Sequence, residues 1–398
     1  TRSVQLNGAL KETTLTLSGT PSALLASPFD GTAADADGAS NGAFVVAGGQ
    51  NLSFNIDNRC AIGATRTDTD AADDTTDTHA TAQSIVAGTS IDAASRDMAG
   101  FSFEGDLVLD FTADVGGDIS FDDGGTNSGI TMSIGTGSEI YGDLLFQDGA
   151  VAAAEVVLSN AGSVENVDLS NTSNVQLTNT GTIGSTEAGS GVDGTNVDVV
   201  LAILNSAGGQ IAHIDGTDTN NLTITNATGG SIDSILLNAQ SDPVNADGLP
   251  NTSDDDVNTS VSNSGTLGVL TADRVGQFTF TNTSTGVVSS PTQSAIVLSN
   301  SANIEIVNAG AVSASSSDTM DVTNYTGYLT LTNSGSFTAS TRNAIAGNGS
   351  SGSFTINNNG TMSSVSSRVI SLQNVSGDIV LNNGNGTSSS VISTSDSA

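Results

Sequence analysis

The sequence predicts an all-β chain wound as a right-handed parallel β-helix, a β-solenoid with coils of about 19–26 residues. Three observations predict it. A short pattern recurs, in which an apolar residue, any residue, an apolar residue and any residue lead to Asn, with Gly close behind. Its copies follow one another at a nearly constant spacing. No stretch carries the 3.6-residue apolar period of an amphipathic helix, and Lys- or Glu-rich helix-forming runs are missing.

The clearest copies read Val156-Val157-Leu158-Ser159-Asn160-Ala161-Gly162-Ser163-Val164 and Val175 through Leu177 to Asn179-Thr180-Gly181-Thr182-Ile183. Later ones include Asn263-Ser264-Gly265-Thr266-Leu267, Asn308-Ala309-Gly310-Ala311-Val312, Asn333-Ser334-Gly335-Ser336-Phe337 and Phe354-Thr355-Ile356-Asn357-Asn358-Asn359-Gly360. The asparagines in this frame are Asn160, Asn179, Asn205, Asn226, Asn263, Asn282, Asn308, Asn333, Asn358 and Asn383. Their successive spacings are 19, 26, 21, 37, 19, 26, 25, 25 and 25 residues. Every frame has an apolar residue two before the Asn, and all but one a second apolar residue four before it, the exception being Thr259. Degenerate copies reach upstream: Gly117-Asp118-Ile119-Ser120-Phe121 matches Gly142-Asp143-Leu144-Leu145-Phe146 at a spacing of 25.

Strict alternation marks a strand with one buried face, because successive side chains point to opposite sides. Asn and Gly tolerate positive φ, so Asn-x-Gly is expected to turn the chain at the strand end. One coil is too small to bury its own apolar face, so coils must stack, each strand pairing in parallel with its equivalent about 4.8 Å along the axis. Parallel crossovers are right-handed by default. The repeated Asn follows two inward residues and so faces inward at a corner. There its amide can hydrogen-bond up and down the stack as a structural ladder.

These Asn-Ser-Gly-Thr-Leu and Asn-Thr-Gly-Thr-Ile repeats resemble those of autotransporter passenger domains and related bacterial surface β-helix proteins. The resemblance is good over residues ~150–398 and weak over ~100–150. It implies a right-handed β-helix, secretion, and a role at the cell surface in adhesion or assembly. Autotransporters end in a membrane β-barrel, whereas this sequence stops at Ser395-Asp396-Ser397-Ala398 within repeat-like residues. A cleaved translocator and a different secretion route are the two expectations. A start at Thr1 without an apolar leader fits either a processed chain or an excised piece.

The domain organisation expected is a solenoid over residues 101–398 and an N-terminal region over 1–100. That region lacks the clean repeat and reads as a cap over an exposed strand edge, or as a surface docking onto the end of another subunit. The second reading generates an open head-to-tail homopolymer. Two acidic segments interrupt the pattern. Asp68 to Asp74 reads as a solvated loop. The excursion at 241–257 accounts for the 37-residue gap, and in it Asp242, Asn245, Asp247, Asn251 and Asp254 alternate carboxylate and amide oxygens around Gly248. Such oxygens suit Ca²⁺, which takes six to eight of them, so calcium is the expected ion if this loop binds one. A plain acidic loop is the alternative, since the register is not that of an EF-hand and no Glu closes it.

Composition removes other classes. There are 42 acidic residues against 8 basic ones, a net charge of −34. A nucleic-acid partner needs a basic footprint, and an anionic membrane surface repels such a chain. No run approaches the ~20 apolar residues of a membrane span. Cys60, the one cysteine, has no disulfide partner in the chain.

Nothing assembles into chemistry. A glycan lyase needs a base beside carboxylates, yet Lys11, Arg274, Arg342 and Arg368 share no coil offset. There is no Trp, and Tyr141, Tyr325 and Tyr328 read as packing or surface residues. His79 and His213 have no metal-ligand spacing to each other or to Cys60. Gly347-Asn348-Gly349-Ser350-Ser351-Gly352 matches the dinucleotide fingerprint in letters, but no strand–helix context surrounds it. The expectation is therefore a secreted, non-enzymatic structural solenoid without cofactor, which forms or decorates an extracellular filament, sheath or surface layer. An adhesin passenger lacking its barrel, with a cell-surface or glycan partner, is the alternative. A glycan-active β-helix enzyme is the more remote one.

Overall fold

The computed structural model describes residues 129–146, 155–185, 190–197, 199–219, 221–238, 258–384 and 391–394, together with short strands between Gln5 and Asp122. The described residues form strands and turns and contain no helix. Their strands pair in parallel with equivalents one coil away, so the chain is a β-solenoid. It divides into two compact units, Thr1–Asp198 and Val199–Ala398.

In the second unit the coil beginning at Ala302 shows the plan. Ala302–Asn308 lies in a first sheet and turns Ile304, Ile306 and Asn308 inward. Ala309-Gly310 lead into Ala311–Ala314 of a second sheet, which buries Val312 and Ala314. Residues 315–319 round another corner into Met320–Thr323, also of the second sheet, which buries Met320 and Val322. Asn324, at φ 52°, closes the coil. Thr326–Asn333 then stacks on Ala302–Asn308 with Ile306 opposite Leu331 and Asn308 opposite Asn333.

Coil length varies along the stack, and one step shows how. Thr266–Asp273 is a single strand in which Leu267 pairs with Val288 and Leu270 with Ile296. The next coil splits the same path into Val287–Ser290 and Ile296–Ser299, with residues 291–295 inserted between them. Adjacent Val269 and Leu270 are both buried and mark the bend in the unsplit strand. The step from Asn263 to Asn282 is therefore 19 residues, and that from Asn282 to Asn308 is 26. The 37-residue step is also one coil, because Asn221–Asn226 pairs in register with Asn258–Asn263.

In the first unit Glu155–Asn160 pairs with Gly129–Ile134 on one side and Asn174–Asn179 on the other. Ser163–Asp168 of the second sheet pairs with Glu139–Leu145, Thr182–Ile183 and Val192–Asp193. Parallel strands also occur within residues 1–100, where Thr13–Leu17 pairs with Leu52–Ile56 and the latter with Leu107–Phe111.

The core is a set of columns. Phe278, Ile304, Leu329 and Phe354 stack in register, as do Phe280, Ile306, Leu331 and Ile356, all within 1% of complete burial. Burying each such side chain stabilises the stack by roughly 1.5–3 kcal/mol. Stacking rather than any single coil holds the fold.

Candidate functional site

From Glu155–Asn160 onward each strand of the first sheet ends in an asparagine, whereas Gly129–Ile134 before it ends in Ile134, and the amides connect. In the second unit Asn205 Nδ2 donates to Asn226 Oδ1 at 2.9 Å, Asn226 to Asn263 at 2.8 Å, Asn263 to Asn282 at 2.9 Å and Asn282 to Asn308 at 2.8 Å. Asn308 donates to Asn333 at 2.7 Å, Asn333 to Asn358 at 2.7 Å and Asn358 to Asn383 at 2.8 Å. In the first unit Asn160 donates to Asn179 at 2.9 Å. The same nitrogens reach backbone carbonyls, as Asn333 does to Thr361 O at 3.2 Å. All but Asn383 are buried, and this is how buried polar groups avoid a desolvation cost.

The glycine behind the ladder acts differently from the sequence-based expectation. Gly162, Gly310, Gly335 and Gly360 are not among the residues with positive φ. A Cβ at Gly335 would instead run into the Gly310 carbonyl of the preceding coil. Close backbone approach excludes the side chain. Where Gly is not two residues after the Asn, the turn is two residues longer: Asn205 and Asn282 donate to Gly209 O and Gly286 O, four residues on.

Positive φ does occur at Gly208 and Gly229, in the longer turns behind Asn205 and Asn226, and it recurs along a corner that the sequence reading missed. Arg274, Asn300, Asn324, Gly349 and Asn374 follow one another there with φ between 50° and 70°. Asn300 Nδ2 donates to Asp273 Oδ1 at 2.7 Å, and Asn374 to Asn348 Oδ1 at 3.0 Å. The signal was available as a second Asn after Ile296-x-Leu298, Met320-x-Val322 and Ile370-x-Leu372. Burial pushes the Asp273 carboxyl up, but hydrogen bonds from Ser299 and Asn300 and the adjacent Arg274 guanidinium outweigh it and hold it below the usual range.

The remaining candidates do not converge. Asp242, Asn245, Asp247, Asn251 and Asp254, with Lys11, Cys60 and His79, lie outside the described residues. Among the described residues no three His, Cys, Asp or Glu side chains gather to hold a metal. His213 Nδ1 lies 2.8 Å from Ser234 Oγ on the next coil. A nucleophilic pair also needs a third group to orient the imidazole and donors for an oxyanion. Tyr325 is buried against Phe354, ring centroids 5.9 Å apart, whereas Tyr328 is exposed. Arg274 pairs with Asp273 at 3.1 Å, while Arg342 and Arg368 are exposed on a different corner.

One place departs from the closed stack. Ile379 and Leu381 stand in register with Phe354 and Ile356, which are 0% and 1% exposed, yet they are 52% and 49% exposed. Val380 between them is 43% exposed. Asn383 is exposed too and accepts from Asn358. Strand Ile379–Asn383 is the last strand of the first sheet among the described residues and repeats the apolar-x-apolar-x-Asn pattern of the strands before it. No family model, curated protein or solved structure matches the chain. What the geometry itself establishes is a β-helix repeat protein.

Proposed function

We propose that this chain is a secreted structural β-solenoid that assembles head to tail with copies of itself into an extracellular filament, sheath or surface layer. The observation that carries the reading is the in-register stacking of like coils, each of which covers the apolar face of the one before and extends its asparagine ladder. Covering Ile379 and Leu381 would stabilise a contact by roughly 1.5–3 kcal/mol each, and the ladder would gain a further amide bond. Neighbouring coils match one another in register, so the surface that fits a coil is another coil of the same plan. A contact between unlike ends does not close and so propagates.

The test is electron microscopy and sedimentation of the purified chain over a range of concentrations, beside Ile379→Asp/Leu381→Asp. Elongated particles that grow with concentration and are lost in the double variant are expected. A wild-type chain that stays monomeric at high concentration with calcium present sinks the proposal.

The Asn-Ser-Gly-Thr-Leu repeats support a second reading, an autotransporter-type adhesin passenger whose barrel is encoded further along. Roughly 250–300 downstream residues with the alternation of membrane strands would favour it over self-assembly.

A further inference from the structure

The triplet Asn-x-Ser/Thr, the acceptor pattern for an N-linked saccharide, recurs along this Asn-, Ser- and Thr-rich chain by composition alone. What composition does not decide is where each copy sits in the coil. Two copies head buried ladder positions. In Asn226-Ala227-Thr228 and Asn282-Thr283-Ser284 the asparagines are 2% and 0% exposed. Asn226 Nδ2 donates to Asn263 Oδ1 and to Thr266 O, each at 2.8 Å. Asn282 Nδ2 donates to Asn308 Oδ1 at 2.8 Å and to Ala311 O at 3.3 Å. A saccharide on either nitrogen would replace one of those hydrogens and has no room inside the stack.

Three other copies stand in turns that face solvent. Asn324-Tyr325-Thr326 and Asn374-Val375-Ser376 lie on the positive-φ corner, at φ 52° and 51°, with the asparagine and the hydroxyl residue both exposed. Asn324 N donates to Asn348 O, and Gly349 N to Gln373 O, so two coils, about 10 Å, separate the two asparagines. Each corner amide spends one hydrogen on the preceding coil, Asn324 on Asn300 Oδ1 at 3.4 Å and Asn374 on Asn348 Oδ1 at 3.0 Å, and keeps the other. Asn171-Thr172-Ser173 repeats the arrangement in the first unit, with Asn171 exposed at φ 59°. The intervening Asn348-Gly349-Ser350 differs. Ser350 is 2% exposed, and its Oγ accepts from Tyr325 N at 3.3 Å and donates to Asn348 O at 3.4 Å. Asn221-Leu222-Thr223 lies within a strand, and Asn359-Gly360-Thr361 in the ladder turn where Gly360 abuts the neighbouring coil.

Resting on the extracellular part of the reading above, we propose that Asn171, Asn324 and Asn374 are acceptor sites for an N-linked saccharide, attached once the coils have stacked. The donor class is a sugar activated as a nucleoside diphosphate. Asn Nδ2 bonds to the sugar C1 as the C1–O bond to phosphate breaks. The nucleoside diphosphate leaves with that electron pair, and a base of the transferase takes the amide proton. The buried copies fix the order of events, because a saccharide on Asn226 or Asn282 before folding would break the ladder. Charge gives the corner saccharides a role. Residues 258–398 hold six acids and three arginines, a net −3, against −34 for the whole chain. Little charge repulsion protects that stretch from lateral association. A bulky hydrated group on Asn324 and Asn374 supplies there the exclusion that carboxylates supply elsewhere.

The first test is peptide mapping by mass spectrometry of the full chain taken from the cells that make it. Saccharide on Asn171, Asn324 and Asn374, with Asn226 and Asn282 bare, is expected. Bare asparagines at all three turns, or saccharide on Asn226 or Asn282, overturn the inference and leave the self-assembly reading standing. The second test treats the purified folded chain with an N-glycosyltransferase specific for the triplet and UDP-glucose. Occupancy at the three turns should exceed that at Asn226 and Asn282 at least about tenfold, because the ladder is reached only by local unfolding. Thr326→Ala and Ser376→Ala should abolish labelling at Asn324 and Asn374 respectively, with thermal unfolding as in wild type. Labelling that ignores burial, or that persists at Asn324 in Thr326→Ala, also overturns the inference. A chain modified as expected that stays monomeric removes self-assembly and leaves the acceptor sites.

Discussion

Asn308 Nδ2 lies 2.7 Å from Asn333 Oδ1, although 25 residues separate them, and Asn333 repeats the contact to Asn358 at 2.7 Å. A buried amide in mid-ladder is therefore donor to one coil and acceptor from the other. Asn333→Ala removes both bonds and leaves the Asn308 donor buried with fewer acceptors. The expected cost is about 2–4 kcal/mol. Asn383→Ala, at the exposed end, should cost about 0.5 kcal/mol or less. Stability in stacked coils is a sum of local terms, so hydrogen exchange resolved by segment is the appropriate measurement. Equal losses of protection in the two variants would show that the ladder is not what holds the coils.

Two glycines separate steric exclusion from backbone conformation. A Cβ at Gly335 meets the carbonyl of the coil below, while Gly137, at φ 83°, has open space around its missing side chain. Gly335→Ala should push neighbouring coils apart and cost more than about 2 kcal/mol. Gly137→Ala should cost only the left-handed penalty of about 1–2 kcal/mol. Asn, which favours that region, should recover part of the loss at 137 and none at 335. Recovery by Asn at Gly335 would mean that φ, not contact, selects its glycine.

Tyr325 is buried with its hydroxyl unpartnered, and burial pushes its pKa up to about 12. Tyr325→Phe removes a desolvated hydroxyl without losing the Phe354 contact, and a gain of about 1 kcal/mol is expected. The unfolded chain ionises this phenol near pH ~10 and the folded chain only near 12, so its stabilising contribution is lost as pH climbs between those values. The advantage of the Phe variant should widen over that window in thermal melts. A constant difference from neutral to strongly alkaline pH would place the Tyr325 hydroxyl in contact with water.

Two carboxylates of the second unit should titrate with opposite signs. Burial, then the charge of Asp318, pushes Asp321 up, whereas Asp273 is held down by its donors despite burial. Asp321 disfavours the folded state once ionised, so Asp321→Asn should stabilise at neutral pH. Asp273 stabilises above its unfolded pKa of about 3.9 and loses that as pH falls through its lowered folded value. Asp273→Asn should therefore destabilise at neutral pH and approach wild type in acid. Variants shifting stability in the same direction at neutral pH would contradict the arrangement of donors around Asp273.

The coil plan was readable because the first-sheet strand repeats one chemistry: Leu177, Leu331 and Ile356 each precede an inward Asn by two residues. The other two strands left a weaker trace. Ala311–Ala314 buries only Val312 and Ala314, and Ile345–Asn348 only Ile345 and Gly347, pairs too short and small to stand out from composition. The role of the ladder glycines was misread for a related reason, since close approach between coils is a property of the stack and leaves no mark on one coil. Exposure at Ile379 and Leu381 was likewise hidden, because their residues look like every interior rung and differ only in what covers them.

Ionic strength offers the broadest test of assembly, because 36 of the 42 acids lie in residues 1–257. With screening weak, at ~0.01 M salt, repulsion between acidic halves extends about 30 Å and opposes close approach of any two copies. Near physiological strength it falls to about 8–10 Å, and the apolar contact between stacked coils, which salt does not weaken, should dominate. Assembly measured by sedimentation should therefore rise with sodium chloride. Calcium at constant ionic strength separates charge screening from a specific ion. A further gain that a chelator reverses, and that Asp242→Asn/Asp247→Asn/Asp254→Asn abolishes, would assign it to the acidic excursion. Assembly indifferent to both salt and chelator would mean that the acidic half stays remote from every contact, and the head-to-tail arrangement could not then stand.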